Sequence, residues 1–266
     1  MGFCMFVAKN WTLMKKVLYL ILISLLILLS SCDLFNHEDP NTITDIDGNV
    51  YRTVTIGDQT WMAENLKVTH YRNGEDILYA PSDSAWAFHS YDSLGTYCAY
   101  NDDIDCADTC GYLYNWYATI DPNGLAPEGW HVPTDDDWKQ LELFIGMEPT
   151  QADTILSRGT NEGKKLKASY GWYTLIDGIY WKGNGSDDFG FSAFPCGVRY
   201  VLFTINHLSS VYVGLHNVTG FWTSTSRDNY YRYAWRRSFD KSSDLICRDY
   251  IEEYQGCSIR CIKDSE

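Results

Sequence analysis

The chain has 266 residues, 45% hydrophobic and 15% aromatic, which is enough for a sizeable core in one or two domains. It carries 35 acidic against 21 basic side chains, a net charge of −14. A chain this acidic repels phosphate backbones, which argues against a nucleic-acid partner.

The first element in chain order is a leader. From Met14 the sequence reads "MKKVLYLILISLLILLSSC": two lysines, an apolar run from Val17 to Leu29, then small residues before Cys32. That is the order of a secretory signal, and the run is shorter than the ~20 residues of a spanning helix. Residues 1–31 are therefore expected to be removed, with Met14 as the working start. Residues 32–41 read as a polar tether. Cleavage makes the chain more acidic still, because Lys9, Lys15 and Lys16 leave and no carboxylate does.

One folded domain is expected over residues 42–266. Strands are predicted at Ile43–Ile46, Val50–Ile56 and Gln59–Leu66, with turns at Asp47-Gly48-Asn49 and Gly57-Asp58. Asp-Gly between alternating runs is a strong hairpin signal. Residues 73–110 lack periodicity and read as a long, partly irregular excursion. "GYLYNWYATI" sets Leu113, Trp116, Tyr117 and Ile120 at helical spacing.

"GWHVPTDDDWKQL", residues 129–141, opens a second helix. One histidine beside three aspartates suggests metal binding or acid–base chemistry. A plainer account explains the same residue types. Thr134 caps the helix, and Asp137 stands three residues on, where a capping box usually has Glu or Gln. Asp135, Asp136 and Asp137 fill the first turn, where free N–H groups favour negative charge by ~0.3–1 kcal/mol each. Trp138, Leu141, Phe144 and Ile145 then form the apolar stripe. His131 reads as a packed or hydrogen-bonded side chain.

"NEGKKLKAS" suggests a third short helix. Beyond Tyr170, strands are predicted at Phe191–Tyr200, Val211–Leu215, Gly220–Thr225, Tyr231–Phe239, Leu245–Tyr250 and Cys257–Lys263. The alternation of "RDNYYRYAWRR", residues 227–237, predicts a solvated, cationic strand face.

Site chemistry is thinly signalled. Asp45 to Asn49 superficially matches a calcium loop, but its glycine is at the fourth position and Ile56 stands where the twelfth-position Glu belongs. Asp102, Asp103, Asp105, Asp187 and Asp188 are weak calcium candidates in oxygen-rich loops, and solvated loop acids are the simpler reading. No nucleophile elbow, phosphate loop, dinucleotide fingerprint or zinc helix motif is present. No catalytic residue, metal or cofactor is therefore assigned. Trp172, Tyr173, Tyr180 and Trp181 lie in a Gly-rich region near Asp187 and Asp188 and are the candidate ligand contacts. Aromatic faces beside carboxylates hold sugars or peptides in many proteins; rings filling a core are the alternative.

Six segments in order carry a resemblance: "DIDGNVYRTVTIGDQTWMAENLK" (45–67), "GYLYNWYA" (111–118), "GWHVPTDDDW" (129–138), "FSAFPCGVRY" (191–200), "FWTSTS" (221–226) and "SIRCIKD" (258–264). Together they resemble the Fibrobacter succinogenes major paralogous domain, a family of extracytoplasmic modules, often lipoproteins. Leu29-Ser30-Ser31-Cys32 resembles a lipobox, which implies lipidation at Cys32 and anchoring to a bacterial membrane, at the outer membrane or cell surface. The later segments also resemble C-type-lectin-like modules and their formylglycine-generating relatives. That likeness implies an α+β fold: two or three short helices packed on a twisted antiparallel sheet, long irregular loops and adjacent chain ends. The lectin sugar-binding tripeptides are absent. An oxidase of the formylglycine-generating type needs a reactive cysteine pair near the C-terminus, but the Cys261 segment reads as a closing core strand.

Seven cysteines follow Cys32, an odd number, and in an exported chain cysteines tend to pair. Zinc on Cys106, Cys110, Cys257 and Cys261 is less favoured than disulfides there. Ala126 stands where relatives often carry a cysteine, so the usual partner of Cys261 is missing. The family pattern suggests Cys98–Cys106, a closure worth roughly 2–3 kcal/mol. Cys247 and Cys257 flank an expected hairpin and could face each other across it. The functional expectation is a non-enzymatic, lipid-anchored module that binds glycan or protein. The alternatives are an enzyme of the formylglycine-generating or sulfatase-modifying type and a purely structural envelope component.

Overall fold

The alternating stretch after Asn41 folds as a meander of β1 (Thr42–Thr44), β2 (Val50–Ile56) and β3 (Gln59–Met62). The structure, a computed structural model, describes residues 41–204, 207–228 and 230–265. The expected leader, most of the tether and the lipid site at Cys32 lie outside them. The calcium-like stretch is a turn whose carboxylate is already spent. Asp45 accepts from the backbone N–H groups of Asp47 (3.0 Å) and Asn49 (2.9 Å) and from the Tyr51 hydroxyl (2.6 Å).

The excursion is more regular than expected. β4 (Leu78–Tyr79), β5 (Thr96–Cys98) and β6 (Leu113–Tyr114) form a small sheet, with α1 (Asp83–Tyr91) and α2 (Ile104–Cys110) between them. Ser82 caps α1 by accepting from Ala85 N at 3.2 Å. The helix buries only Trp86, Ala87 and Ser90 and leaves Phe88 and Tyr91 in solvent, so no stripe is visible in the sequence. Asp103 caps α2 by accepting from Asp105 N at 3.1 Å. Gly111 ends it at φ 66, where a Cβ would lie 2.5 Å from the Leu66 carbonyl oxygen. The next expected helix shrinks to one turn, α3 (Trp116–Thr119): Leu113 belongs to β6, and Ile120 is exposed.

After β7 (Trp130–His131) comes α4 (Asp135–Phe144), with the expected capping box. Thr134 Oγ1 accepts from Asp137 N (3.1 Å), and Asp137 Oδ2 accepts from Thr134 N (2.8 Å). Trp138 and Leu141 are buried; Phe144 is mostly exposed and lies over Gly57. Then follow α5 (Pro149–Ala152), β8 (Leu156–Arg158), α6 (Glu162–Leu166), β9 (Tyr173–Ile176) and β10 (Ile179–Lys182). The chain closes with β11 (Cys196–Thr204), β12 (His207–Leu215), β13 (Val218–Asp228), β14 (Tyr233–Asp240), β15 (Ile246–Glu252) and β16 (Ile262–Lys263).

The larger sheet has the order β12-β11-β13-β14-β15-β8, and the smaller β1-β2-β3-β16-β7. β16 pairs antiparallel with β3 at Ile262–Trp61 and with β7 at Ile262–His131, so both ends of the domain meet in one sheet. Only the last two residues of the expected Cys257–Lys263 strand are regular. Its first part runs between the sheets, with Cys257 bridging Tyr114 and Ser258 bridging Phe221. The fold class is α+β, and residues 41–266 form one compact unit.

Much of the aromatic content fills the core. Trp61 packs on Trp138 at 5.1 Å, and Trp138 also meets Phe191, Phe221 and Phe239. Fully burying a large apolar side chain contributes about 1.5–3 kcal/mol. The cationic strand face is a different matter. Arg236 and Arg237 are buried, not solvated. Arg237 donates to Glu142 Oε1 (2.7 Å) and Asp135 Oδ1 (2.7 Å). Arg248 donates to both Asp135 oxygens (2.9 and 2.7 Å), and Arg158 pairs with Glu142. This network ties α4 to β14, β15 and β8. Arg236 turns to the opposite face and makes a bidentate pair with Asp249, 2.9 Å at each contact.

Candidate functional site

The region expected to be a Gly-rich aromatic loop is a β-hairpin. Asp177 (φ 50) and Gly178 (φ 78) form its two-residue turn, and Asp-Gly supplies the two positive φ values that a type I′ turn needs. The register pairs Ile176 with Ile179, Leu175 with Tyr180 and Thr174 with Trp181. Cross-strand partners share a face, so the ribbon shows Leu175 and Tyr180 on one side and Ile176, Ile179 and Trp181 on the other. All five are more than half exposed. Among the described residues β9 and β10 pair only with each other.

The four candidate ligand contacts therefore divide. Trp172 is 2% exposed; its indole N–H donates to the Ala193 carbonyl at 3.1 Å, and the Lys167 ammonium lies 5.2 Å over its ring. It is a core anchor, because it precedes β9 and points under the hairpin base. Burial pushes the Lys167 amine down to about 8. Tyr173 is half-buried and stacks on His216 at 4.2 Å, which fixes the base of the ribbon. Tyr180 and Trp181 alone are presented to solvent.

The candidate calcium acids are dispersed among local roles. Asp102 accepts from the Tyr212 hydroxyl at 2.9 Å, Asp103 caps α2, and Asp105 lies in its first turn. Asp187 accepts from Ser192 N at 2.7 Å, and Asp188 is exposed. Among the described residues no group of three or more His, Cys, Asp or Glu side chains could hold a metal ion.

The Gly129–Leu141 segment is occupied in structural work. Asp135 belongs to the buried network, and its arginine partners outweigh burial and hold its carboxyl well below the usual range. Asp136 pairs at the surface with Lys139 (3.1 Å). His131 sits between Asp264 (Nδ1, 2.6 Å) and Asp137 (Nε2, 3.3 Å). The hydrogen bond to Asp137, with that to Asp264, raises the imidazole pKa despite partial burial. Both ring nitrogens face carboxylates, and the neighbouring hydroxyl of Thr134 bonds to Asp137 rather than to the ring. The cluster thus lacks the nucleophile–base contact that a triad requires.

All seven cysteines of the described residues are free thiols, and the two expected pairings are not supported by their neighbours. Cys247 faces Ser238 and Ser157 across its two strand partners, while Cys257 has left the sheet to bridge Tyr114. β15 ends at Glu252 and the chain turns inward, so the expected hairpin between them does not form. The Cys98 thiol accepts from the Tyr212 hydroxyl at 3.6 Å, and that of Cys106 contacts Cys110 instead.

A second exposed aromatic site went unread in the sequence. Ile155, Arg227, Asp228, Tyr230, Tyr231 and Trp235 line a shallow cleft at the end of β13 and β14. Tyr230 and Tyr231 meet edge to face at 4.7 Å and stand largely in solvent. Arg248 stacks on Trp235 at 3.7 Å, which joins this cleft to the buried network. The cluster "NYYRYAW" carries the signal, but it also fits an ordinary strand.

The α+β domain thus has both ends in one sheet, an ion-paired core and two solvent-facing aromatic surfaces. The chain belongs to the Fibrobacter succinogenes major domain family, whose model matches residues 54–263. No curated protein and no solved structure matches the chain.

Proposed function

We propose that this is a non-enzymatic binding module of the cell envelope, exported by its leader, held to a bacterial membrane through lipid on Cys32, and C-type-lectin-like in architecture. The apolar hairpin β9–β10 is its contact surface, and a protein is its ligand. The observation that carries this reading is the exposure of Leu175, Ile176, Ile179, Tyr180 and Trp181 on one projecting ribbon. Sustained apolar exposure costs solubility unless a partner covers it. Aliphatic side chains on both faces suit a protein surface better than a sugar, which needs polar edges beside its stacking ring. The burial of Cys257 and Cys261 argues against an accessible reactive pair of the formylglycine-generating kind. A glycan ligand is the second reading, favoured by the cleft where Tyr230, Tyr231 and Trp235 stand beside Arg227 and Asp228.

The test titrates the 41–266 fragment onto isolated envelope of the producing bacterium, with and without protease treatment. Tyr180→Ser with Trp181→Ser should weaken binding by at least about 30-fold, the equivalent of one hot-spot residue of 2 kcal/mol. Protease treatment should abolish it. Loss on Tyr230→Ser with Tyr231→Ser, with protease resistance, selects the glycan. Equal binding by all three proteins overturns the proposal.

A further inference from the structure

Arg260 is a buried cation that lacks a buried anion. It is 1% exposed, and its guanidinium lies over the rings of Phe191 (4.5 Å) and Phe221 (5.3 Å). Its hydrogen bonds all go to neutral oxygens. Nε donates to Asn65 Oδ1 (3.0 Å), Nη1 to the Phe191 carbonyl and Nη2 to the Ser192 carbonyl (2.7 Å). Among the described residues no carboxylate pairs with it; Glu64 and Asp187 act on it only through space. Burial pulls the guanidinium down to about 9, so it stays charged at neutral pH. A buried charge left unpaired destabilises a fold. Such a breach of the packing rules is expected where a ligand completes the pairing.

Arg260 forms part of the wall of a cleft of about 260 Å³. β2 alternates, so Tyr51 is buried and Arg52 turns outward beside this cleft. Arg52 spends its backbone N–H (2.8 Å) and Nε (3.3 Å) on Glu64, and its two terminal nitrogens are free among the described residues. Lys67 has only a loose partner, Asp108 at 3.9 Å, whose side chain is 90% exposed. The lining thus sets three cations, Arg52, Lys67 and Arg260, against two carboxylates, Glu64 and Asp108. That is one net positive charge in a concave site on a chain of net charge −14. Tyr170 completes the lining; it packs on Phe194 at 5.4 Å and is largely in solvent. The walls are fixed. Asn65 donates to the Cys110 carbonyl at 2.9 Å while it accepts from Arg260, and Asp187 holds Ser192 at φ 54 by accepting from its N–H at 2.7 Å. Walls set in advance lower the cost of binding.

We propose that this cleft binds a hexuronate, a single sugar ring bearing one carboxylate. The terminal nitrogens of Arg52 take the carboxylate in the planar, two-bonded manner of guanidinium–carboxylate pairs. The Lys67 ammonium and the unpaired charge of Arg260 add to the field that holds it. Asp108 and Thr109 meet the sugar hydroxyls, and the apolar face of the ring stacks on Tyr170. The cleft is smaller than the ~300–1,000 Å³ of sites for drug-sized ligands, which suits one ring. A phosphate would bring a second negative charge, which a balance of one does not match. None of the hairpin residues 173–182 lines the cleft, so its occupancy neither requires nor excludes a protein on the ribbon.

The test titrates glucuronate and galacturonate into the 41–266 fragment and follows its amide NMR spectrum. At ordinary ligand efficiency about thirteen heavy atoms give a Kd of about 1 mM or tighter, for at least one of the two. The shifts should centre on Arg52, Gly111 and Ser192. Glucose and galactose keep the hydroxyls and lack the carboxylate; N-acetylglycine keeps a carboxylate and lacks the ring. Each should bind at least about tenfold more weakly than the uronate. Arg52→Gln, at an exposed position, should weaken uronate binding about tenfold or more, and Tyr170→Ser about 2- to 10-fold. No shift at about 10 mM uronate, or shifts centred on the hairpin or on Tyr230 and Tyr231, overturns the site. Equal binding of the neutral sugars overturns the carboxylate contact, and equal binding of N-acetylglycine overturns the sugar. Unchanged affinity in Arg52→Gln rejects the role of Arg52. The ligand comparison on the unaltered chain decides the site even if a variant fails to fold.

Discussion

Asp135→Asn isolates what the ion network contributes. Asp135, Glu142, Arg158, Arg237 and Arg248 are all buried, two carboxylates facing three guanidinium groups. Asparagine keeps the shape and removes the charge that serves both Arg237 and Arg248. One buried carboxylate then faces three buried cations. Breaking a buried pair by removing one partner costs about 3–5 kcal/mol, a large part of a total of some 5–15 kcal/mol. The assay is urea unfolding of the 41–266 fragment followed by tryptophan fluorescence. With a slope near 2–3 kcal/mol per M, the midpoint should fall by about 1–2 M. Asp136→Asn, one residue on, removes only an exposed carboxylate and should cost less than about 0.5–1 kcal/mol. Equal, small losses in the two variants would refute the reasoning. The pH dependence has a definite sign. The depressed native carboxyl means that the Asp135 contribution is complete above about pH 3.9 and falls away only as pH drops towards the native value.

His131 behaves in the opposite sense. Its raised pKa gives stability that is complete below about pH 6.5 and lost as pH rises through the native value; NMR titration should place the imidazole above 6.5, and Asp264→Asn should lower it. Trp172→Phe should destabilise by about 1–3 kcal/mol, because it shrinks a side chain that is 2% exposed and removes the indole hydrogen bond to the Ala193 carbonyl, which keeps its Ala168 N–H donor, while Trp181→Ser should stay within about 0.5 kcal/mol; thermal unfolding of both variants checks the division. Gly111→Ala should cost about 1–3 kcal/mol or more in the same assay, since φ 66 and the Leu66 carbonyl oxygen both oppose a Cβ.

Local rules carried the sequence reading furthest where the local chain decides the outcome. The strand at Val50–Ile56 and the Thr134–Asp137 capping box were legible because alternation and cap chemistry act over a few residues. The hairpin turn at Asp177-Gly178 was legible by the same rule, but the glycines around it made the segment read as a loop. Helix α1 could not be seen, because its outer face carries Phe88 and Tyr91 and masks the buried stripe. The arginines of β14 read as solvated because alternation assigns residues to faces without saying what covers a face. The acids of Arg237, Asp135 and Glu142, lie about a hundred residues earlier in the chain, and that of Arg236, Asp249, lies on the neighbouring strand. The same limit applied to the aromatics: spacing could not separate buried Trp172 from presented Trp181.

The claim that the hairpin is the contact surface is tested most directly by site-specific photo-crosslinking in the producing bacterium. A benzophenone amino acid in place of Trp181 should give a discrete protein adduct on irradiation. The same group in place of Tyr91, which is 83% exposed on α1, should give none. No adduct at position 181, or equal adducts at both positions, would contradict the account.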